Sequence, residues 1–367
     1  MALVSGALAL TTVVTAQPAV ARTDQAELRR VMQRLTAQDG AVGAQALVTG
    51  RGERTAIAEG LGDVRTGTPM PRGGRFRIGS LTKPFVATVV LQLVGEGKVE
   101  LDAPVERYLP GVVRGNGNDG REITVRNLLQ HTTGLPDYLR LLSPQHFIEH
   151  RYEDHDPREL LQVALDHDRL FEPRSQWSYS NTNYILVAMI IERVTGRSHG
   201  EEIDRRIVRP LHLRDTSVPG DETGIGSGHA RGYVRAGSEL LDLTELNASM
   251  AFGGGDMISS AADVNRFLGA LVRGRLLRPD QQREMMTTRP TGGSSGSEYG
   301  LGLQRFQLDG CEGEFWGHGG DMLGYTAKSG VTLDGRRQVT VMINLNPGGT
   351  QAQEDDQGRA VSAALCD

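Results

Sequence analysis

The stretch RFRIGSLTKPFVATVVLQLVG, residues 75–95, decides how the rest of the chain is read. Arg75 to Ile78 alternates like a short strand and runs into Gly79 and Ser80. Val86 to Gly95 is apolar almost throughout, as a helix buried on most sides would be. Ser80 and Lys83 therefore stand one helical turn apart at the start of that helix. Residues three apart share a helix face, so the Lys83 amine can approach the Ser80 hydroxyl, while the free N–H groups of the helix N-terminus offer positive potential to an oxyanion. A serine hydroxyl is a weak nucleophile until a neighbouring base takes its proton, and Lys83 is placed to do so. Pro84 is tolerated because it still lies in the first turn. Taken alone, Ser-x-x-Lys also fits a plain N-cap serine.

Working outward, Asp24 to Thr36 carries Leu28, Val31, Met32 and Leu35 on one helical face. Gly43–Val48 and Arg54–Ala58 read as strands either side of a Gly50-Arg51-Gly52 hairpin turn. Asn183 to Thr195 is a second buried helix stopped by Gly196, and Ser260-Ala261-Ala262-Asp263 reads as a capping box for a third, running to about Val272. After that the pattern changes. Glu314–Gly317, Tyr325–Leu333 and Arg337–Asn344 are strand-like, Asp334-Gly335 is a hairpin turn between the last two, and a helix from about Ala352 to Leu365 closes the chain. Strands at both ends with a helical middle imply an α/β (α+β) fold: one mixed antiparallel sheet flanked by helices, with an inserted all-helical subdomain. The expected division is a single catalytic domain over 22–367, its α/β part about 22–82 and 295–367 and its helical part about 83–294, with a cleft between them.

Two further clusters carry chemistry. Tyr179-Ser180-Asn181 lies on a polar loop just before the Asn183 helix; a tyrosine beside a lysine can relay a proton, and Asn181 can donate to a substrate carbonyl and to Lys83. Gly317-His318-Gly319-Gly320-Asp321 follows the aromatic pair Phe315-Trp316. Its glycines let a substrate backbone lie close along a strand edge, and His318 is a cationic or donor side chain to line the slot. Ordinary turn chemistry and a flexible loop with an incidental histidine are the plain alternatives.

In this order, Ser80-Leu81-Thr82-Lys83, Tyr179-Ser180-Asn181 and His318-Gly319-Gly320 resemble the three motifs shared by class C β-lactamases, soluble serine D-alanyl-D-alanine carboxypeptidases and related esterases, over about Gln45 to Asp367. Leu128–Pro136 (LLQHTTGLP) and Tyr299–Leu303 (YGLGL) match as well. The resemblance implies a β-lactamase/transpeptidase-like fold and a catalytic trio of Ser80, Lys83 and Tyr179. It gives Asn181, His318, Gly319, Gly320 and Asp321 to substrate binding, and the backbone N–H groups of Ser80 and Asp321 to an oxyanion hole. The reaction it implies is two-step acyl transfer with no cofactor and no metal. Lys328-Ser329-Gly330 spells the Lys-Ser/Thr-Gly triad of many relatives, but only the His318 assignment leaves two strands and a helix after the motif.

The formal net charge of −5 leaves no broad basic surface, so nucleic acid is excluded as a main partner and a small peptide, ester or β-lactam is expected, with the protein acting as a monomer. Lysines are confined to Lys83, Lys98 and Lys328, which makes a lysine in a motif informative. Residues 1–21 are small and apolar and end in Ala19-Val20-Ala21, the pattern of a cleaved signal peptide, although no Lys or Arg precedes Arg22. Gln17-Pro18 leaves too few apolar residues for a bilayer span, so no stable membrane span is expected after cleavage and the protein is read as secreted. Export makes Cys311 and Cys366 candidates for one disulfide, matching that of a soluble DD-carboxypeptidase; two free buried thiols are the alternative.

Gly115–Gly120 (GNGNDG) imitates a dinucleotide loop but has no βαβ unit around it, and reads as a surface turn. His146, His150, His155 and His167 lack ligand spacing and read as solvated. His131 is expected to make a structural hydrogen bond. A carboxypeptidase must hold a free carboxylate, yet the corresponding positions are Gly319, Asp321 and Gln304. Asp321 would repel an anion unless Arg305 or His318 offset it. Four functions follow: a secreted D-alanyl-D-alanine carboxypeptidase or related D-peptidase, an esterase, a β-lactamase, and a non-catalytic penicillin-binding sensor.

Overall fold

The computed structural model describes residues 20–50, 52–292, 296–308 and 311–366. The expected leader lies outside these but for its last two residues, which open the first helix. That helix, α1 (Val20–Ala37), is followed by β1 (Gly43–Gly50), β2 (Glu53–Asp63), β3 (Thr68–Pro69) and β4 (Arg75–Arg77). The middle of the chain contributes α2 (Thr82–Gly95), α3 (Thr182–Thr195), β5 (Ile258–Ser260) and α4 (Ala261–Val272), with several shorter helices and two short hairpins, within 114–119 and 233–242, between them, so the inserted part is mainly helical and not all-helical as expected. The end supplies β6 (Arg289–Pro290), β7 (Glu298–Tyr299), β8 (Gln304–Phe306), β9 (Phe315–Met322), β10 (Tyr325–Thr332), β11 (Arg337–Ile343) and α5 (Gln351–Leu365).

Nine of these strands form one sheet in the order β6-β7-β8-β9-β10-β11-β1-β2-β3, with every pair antiparallel. It is mixed only in drawing on both ends of the chain: Ala46 of β1 stands between Val341 of β11 and Ile57 of β2. The sheet takes up the chain again at Arg289. Alternation along β11 divides the two faces. Val339, Val341 and Ile343 pack with Leu28, Val31, Met32 and Leu35 of α1 and with α5, whereas Met342 joins the larger core that holds Phe267 and Leu268 of α4. A two-pronged Arg34–Asp356 pair, at 2.8 and 3.1 Å, fixes α1 to α5. A Cys311–Cys366 disulfide, with Cα atoms 5.5 Å apart, ties the end of α5 to the segment entering β9.

Two local expectations change. The strand at Arg75–Arg77 pairs with Ile258–Ser260 instead of entering the large sheet, and the Ile78 N–H donates to Met257 O at 3.0 Å. This brings the turn carrying Ser80 against residues 253–257. Ser260 caps α4 by accepting from the Asp263 N–H, but the reciprocal half of the capping box is absent. The Asp263 carboxylate instead takes the Asp215 N–H and the Thr216 hydroxyl.

Candidate active site

Ser80 lies in a single 3₁₀ turn, Gly79–Leu81, that leads directly into α2. Gly79 has φ +49°, and a Cβ there would strike the Asp321 backbone; a Cβ on Gly320 would strike Ile78 O. These two glycines let β9 run against the serine turn. Pairing of β8 with β9 stops at Gly317, so from His318 onward one edge of β9 is open beside Ser80. The Gly317–Asp321 motif is thus part of an extended strand, not a loop.

Lys83 is fully buried in the first turn of α2. Its amine contacts Ser80 Oγ at 3.0 Å, Asn181 Oδ1 at 2.8 Å and Gly254 O at 2.8 Å. Burial drives its pKa down to about 7, against the opposing pull of the Asp137 and Asp256 carboxylates. The last two contacts are to pure acceptors and consume two N–H groups. In the neutral amine, the position left for the lone pair is the one facing Ser80.

Tyr179 brings its ring to 4.9 Å from the Lys83 nitrogen, with Tyr184 at 5.2 Å. Burial raises the Tyr179 phenol well above its ordinary range, an effect that its interaction with the Ser80 hydroxyl opposes. The phenol makes no well-formed hydrogen bond. Ser80, Lys83, Tyr179 and Asn181 therefore share one crevice.

Asn181 is oriented differently from the sequence expectation. It accepts from Lys83 through Oδ1, while its Nδ2 donates to both oxygens of Asp137, at 3.1 and 3.3 Å. The Asn181 N–H also donates to Asp137, at 3.1 Å. Donation to Lys83 is excluded by this arrangement, and Asp137, which sequence reasoning passed over, fixes the amide.

His318 is also corrected. It is buried, and burial together with nearby Lys83 lowers its pKa to about 3, so it is not a cation. Its Nδ1 lies 2.5 Å from Gly319 O, which only accepts; Nδ1 therefore carries the proton and Nε2 accepts from the Tyr299 hydroxyl at 2.9 Å. Nor does Arg305 offset Asp321, because its guanidinium is paired with Glu298 at 2.6 Å and Glu314 at 2.7 Å. Asp321 is exposed at the edge of the cleft; desolvation by the surrounding walls raises its carboxyl, with Thr326 and Lys328 pulling it back. Lys328 lies on β10 and donates to Glu354 O of α5 at 2.9 Å.

His131 makes the structural bonds expected of it. Its Nδ1 lies 3.3 Å from the Ser180 N–H and 3.1 Å from Asn183 Nδ2, both donors, and its ring lies against that of Tyr179 with centroids 4.2 Å apart. Among the described residues no cluster of His, Cys, Asp or Glu is arranged to hold a metal ion. No helix among them is long and apolar enough to cross a membrane.

Beside Ser80 opens a cavity of about 210 Å³ whose walls are mainly apolar: Leu139, Phe147, Met250, Ala251, Met322 and Leu323. Asn181, Gly254 and Asp321 lie on its rim with the serine. Nothing in the sequence pattern announced this wall, because its residues come from three separate segments.

The sequence profile of the Beta-lactamase family matches residues 28–364. The chain belongs to that family. Among characterised relatives of this Beta-lactamase family protein, esterase EstB of Burkholderia gladioli is 34% identical over 264 residues, 63% of this chain and 65% of the relative. The chain thus spans slightly under two thirds of that relative's length. Among solved structures, a D-stereospecific amidohydrolase from Streptomyces sp. superimposes with a TM-score of 0.83 at 38% identity, covering 90% of this chain and 98% of the other. D-amino acid amidase from Ochrobactrum anthropi SV3, complexed with D-phenylalanine, gives 0.80 at 27% identity, covering 93% and 98%. The fold and membership of a serine-hydrolase family follow from these matches.

Proposed function

We propose that the protein is an exported serine hydrolase that forms an acyl-enzyme on Ser80 and acts on amides or short peptides of D-amino acids with apolar side chains. The observation that carries the reading is the Lys83 amine, held by two acceptors so that its third position meets Ser80 Oγ at 3.0 Å. Neutral Lys83 takes the Ser80 proton as Oγ attacks the substrate carbonyl. The oxyanion is received by the N–H groups of Ser80 and Asp321. Tyr179, whose phenol stays protonated, gives its proton to the leaving nitrogen and regains one from Lys83; water then repeats the sequence to release the acid.

The acyl side is read from the apolar cavity, which suits a hydrophobic side chain. D-stereochemistry is supported by the likeness to the Streptomyces amidohydrolase and to the amidase bound to D-phenylalanine. A carboxypeptidase clamp is disfavoured: Arg305 is already paired, His318 is neutral and Asp321 is an acid. The likeness to EstB favours esters as second substrates, since an ester needs no such clamp. The Cys311–Cys366 disulfide supports export.

The test offers purified protein D- and L-phenylalanine amide, a p-nitrophenyl ester, a D-Ala-D-Ala peptide and a chromogenic cephalosporin, with Ser80→Ala as control. Turnover of the D-amide above the L-amide, lost in Ser80→Ala, is expected. Release of D-alanine faster than ammonia would return the carboxypeptidase reading, and rapid cephalosporin turnover the β-lactamase one. Stable labelling by penicillin with no turnover of any substrate would indicate a sensor.

A further inference from the structure

Beyond the Gly253–Gly254 loop that contacts Lys83 lies a buried His–Asp pair that no motif announced. His199 and Asp256 are 4% and 5% exposed, and His199 Nε2 meets Asp256 Oδ2 at 2.8 Å. The same Oδ2 accepts the Gly253 N–H at 2.9 Å. Gly253 has φ +67°, and a Cβ there would lie 2.5 Å from Ala188 Cβ and 2.7 Å from Tyr184 O; the loop is pressed onto α3. The next residue, Gly254, gives its carbonyl to Lys83 at 2.8 Å. His199 Nδ1 also lies 3.3 Å from Glu192, and the Phe252 ring packs edge-on at 4.6 Å.

We propose that the buried His199–Asp256 pair is a positioning device for Lys83: by clamping the Gly253 N–H it presents the Gly254 carbonyl to the amine and so aims the amine's remaining position at Ser80. A buried pair is seldom a net source of stability, because desolvating two charges cancels most of their attraction. Its expected return here is alignment. Burial opposes the charge on His199, but Asp256 and Glu192 outweigh it and raise its pKa to about 9, so the imidazole is charged at neutral pH. The groups facing Lys83 are Ser80 from its own turn, His131, Asp137, Tyr179 and Asn181 from the neighbouring loops, Tyr184 from α3, His318 from β9 and Asp256 beyond the glycine loop. Asp256 is one of two carboxylates in that set, and its charge holds the lysine pKa up.

The inference rests on Lys83 being the base, but its test does not require turnover. Only three lysines occur, so protein labelled with ¹³C at lysine Cε gives three titrating signals, with Lys83 assigned by Lys83→Arg. Asp256→Asn is expected to lower the Lys83 pKa by about half a unit or more. The acidic limb of kcat/KM for a neutral ester should move by the same amount in the same direction. His199→Phe is expected to cut kcat about tenfold with KM little changed, and His199→Gln, which keeps a donor to Asp256, to recover most of that loss. A purely structural pair would lower the melting temperature of all three variants while leaving the Lys83 signal and limb in place, and that result overturns the proposal. Should Asp256→Asn fail to fold, the two His199 variants decide: equal loss in both overturns it. Ester turnover surviving in Ser80→Ala would refute the proposed function instead, with the Lys83 titration still reporting on the pair.

Discussion

Lys83 Nζ lies 3.0 Å from Ser80 Oγ and directs shorter bonds, of 2.8 Å each, to Asn181 Oδ1 and Gly254 O. The amine is thus held from two sides by groups that cannot take part in proton transfer, and its free valence has one destination. Removing either reacting partner should be costly. Ser80→Ala and Lys83→Ala are each expected to lower kcat/KM about a thousandfold or more, with unchanged circular dichroism. The double variant should be little worse than either single one, because the two act as a unit; additive losses would contradict the pairing.

The pH profile follows from the lysine. Its pKa is depressed to about 7, and the base must be neutral, so kcat/KM should rise with pH through about 7 and level off above it. His318 titrates near 3 and stays neutral across that range, so it contributes no second limb there. A limb near 4 with none near 7 would point to a carboxylate base.

Asp137 fixes Asn181 through the Asn181 N–H and Nδ2, at 3.1 Å each, and also holds the Lys83 pKa up. Asp137→Asn should therefore displace the acidic limb downward and, by freeing the amide to turn over, lower the plateau about tenfold. Loss of activity without a moved limb would limit Asp137 to packing.

The cavity wall predicts selectivity. Leu139→Trp and Ala251→Trp, which fill the space beside Ser80, are expected to cut kcat/KM for D-phenylalanine amide at least about tenfold while changing a p-nitrophenyl acetate rate by less than about threefold. Equal losses on both substrates would place the side chain elsewhere.

The disulfide joins positions 55 residues apart. Cys311→Ser with Cys366→Ser should cost about 2–4 kcal/mol of stability, read as a lower melting temperature, with ester turnover at 25 °C retained because neither sulfur touches the crevice.

The order of elements was readable because each carries a local signal. The apolar run after Pro84, the glycine stop at Gly196 and the turn at Asp334-Gly335 all lie where the sequence patterns place them. The three motifs were legible for the same reason: chemistry-bearing residues sit close together in sequence. What escaped depends on long-range approach. Asn181 was given the wrong hydrogen-bonding sense because its partner Asp137 is 44 residues away, and His318, read as a cationic or donor side chain, is a buried neutral ring that accepts from Tyr299 because burial has no local signature. Asp256 and His199 belong to separate elements and meet only in the folded chain. The cavity wall is likewise a product of tertiary packing.

The sheet's seam has a consequence for synthesis. β1 pairs on one side with β2, its sequence neighbour, and on the other with β11, whose residues 337–343 come some 290 positions later. A growing polypeptide must therefore carry an unmatched hairpin edge until Arg337–Ile343 has been made, and a stop before Arg337 leaves that edge free to recruit other strands. Asp321 likewise waits for its ladder partner Thr326 on β10, so the strand edge beside the serine turn is assembled late in synthesis.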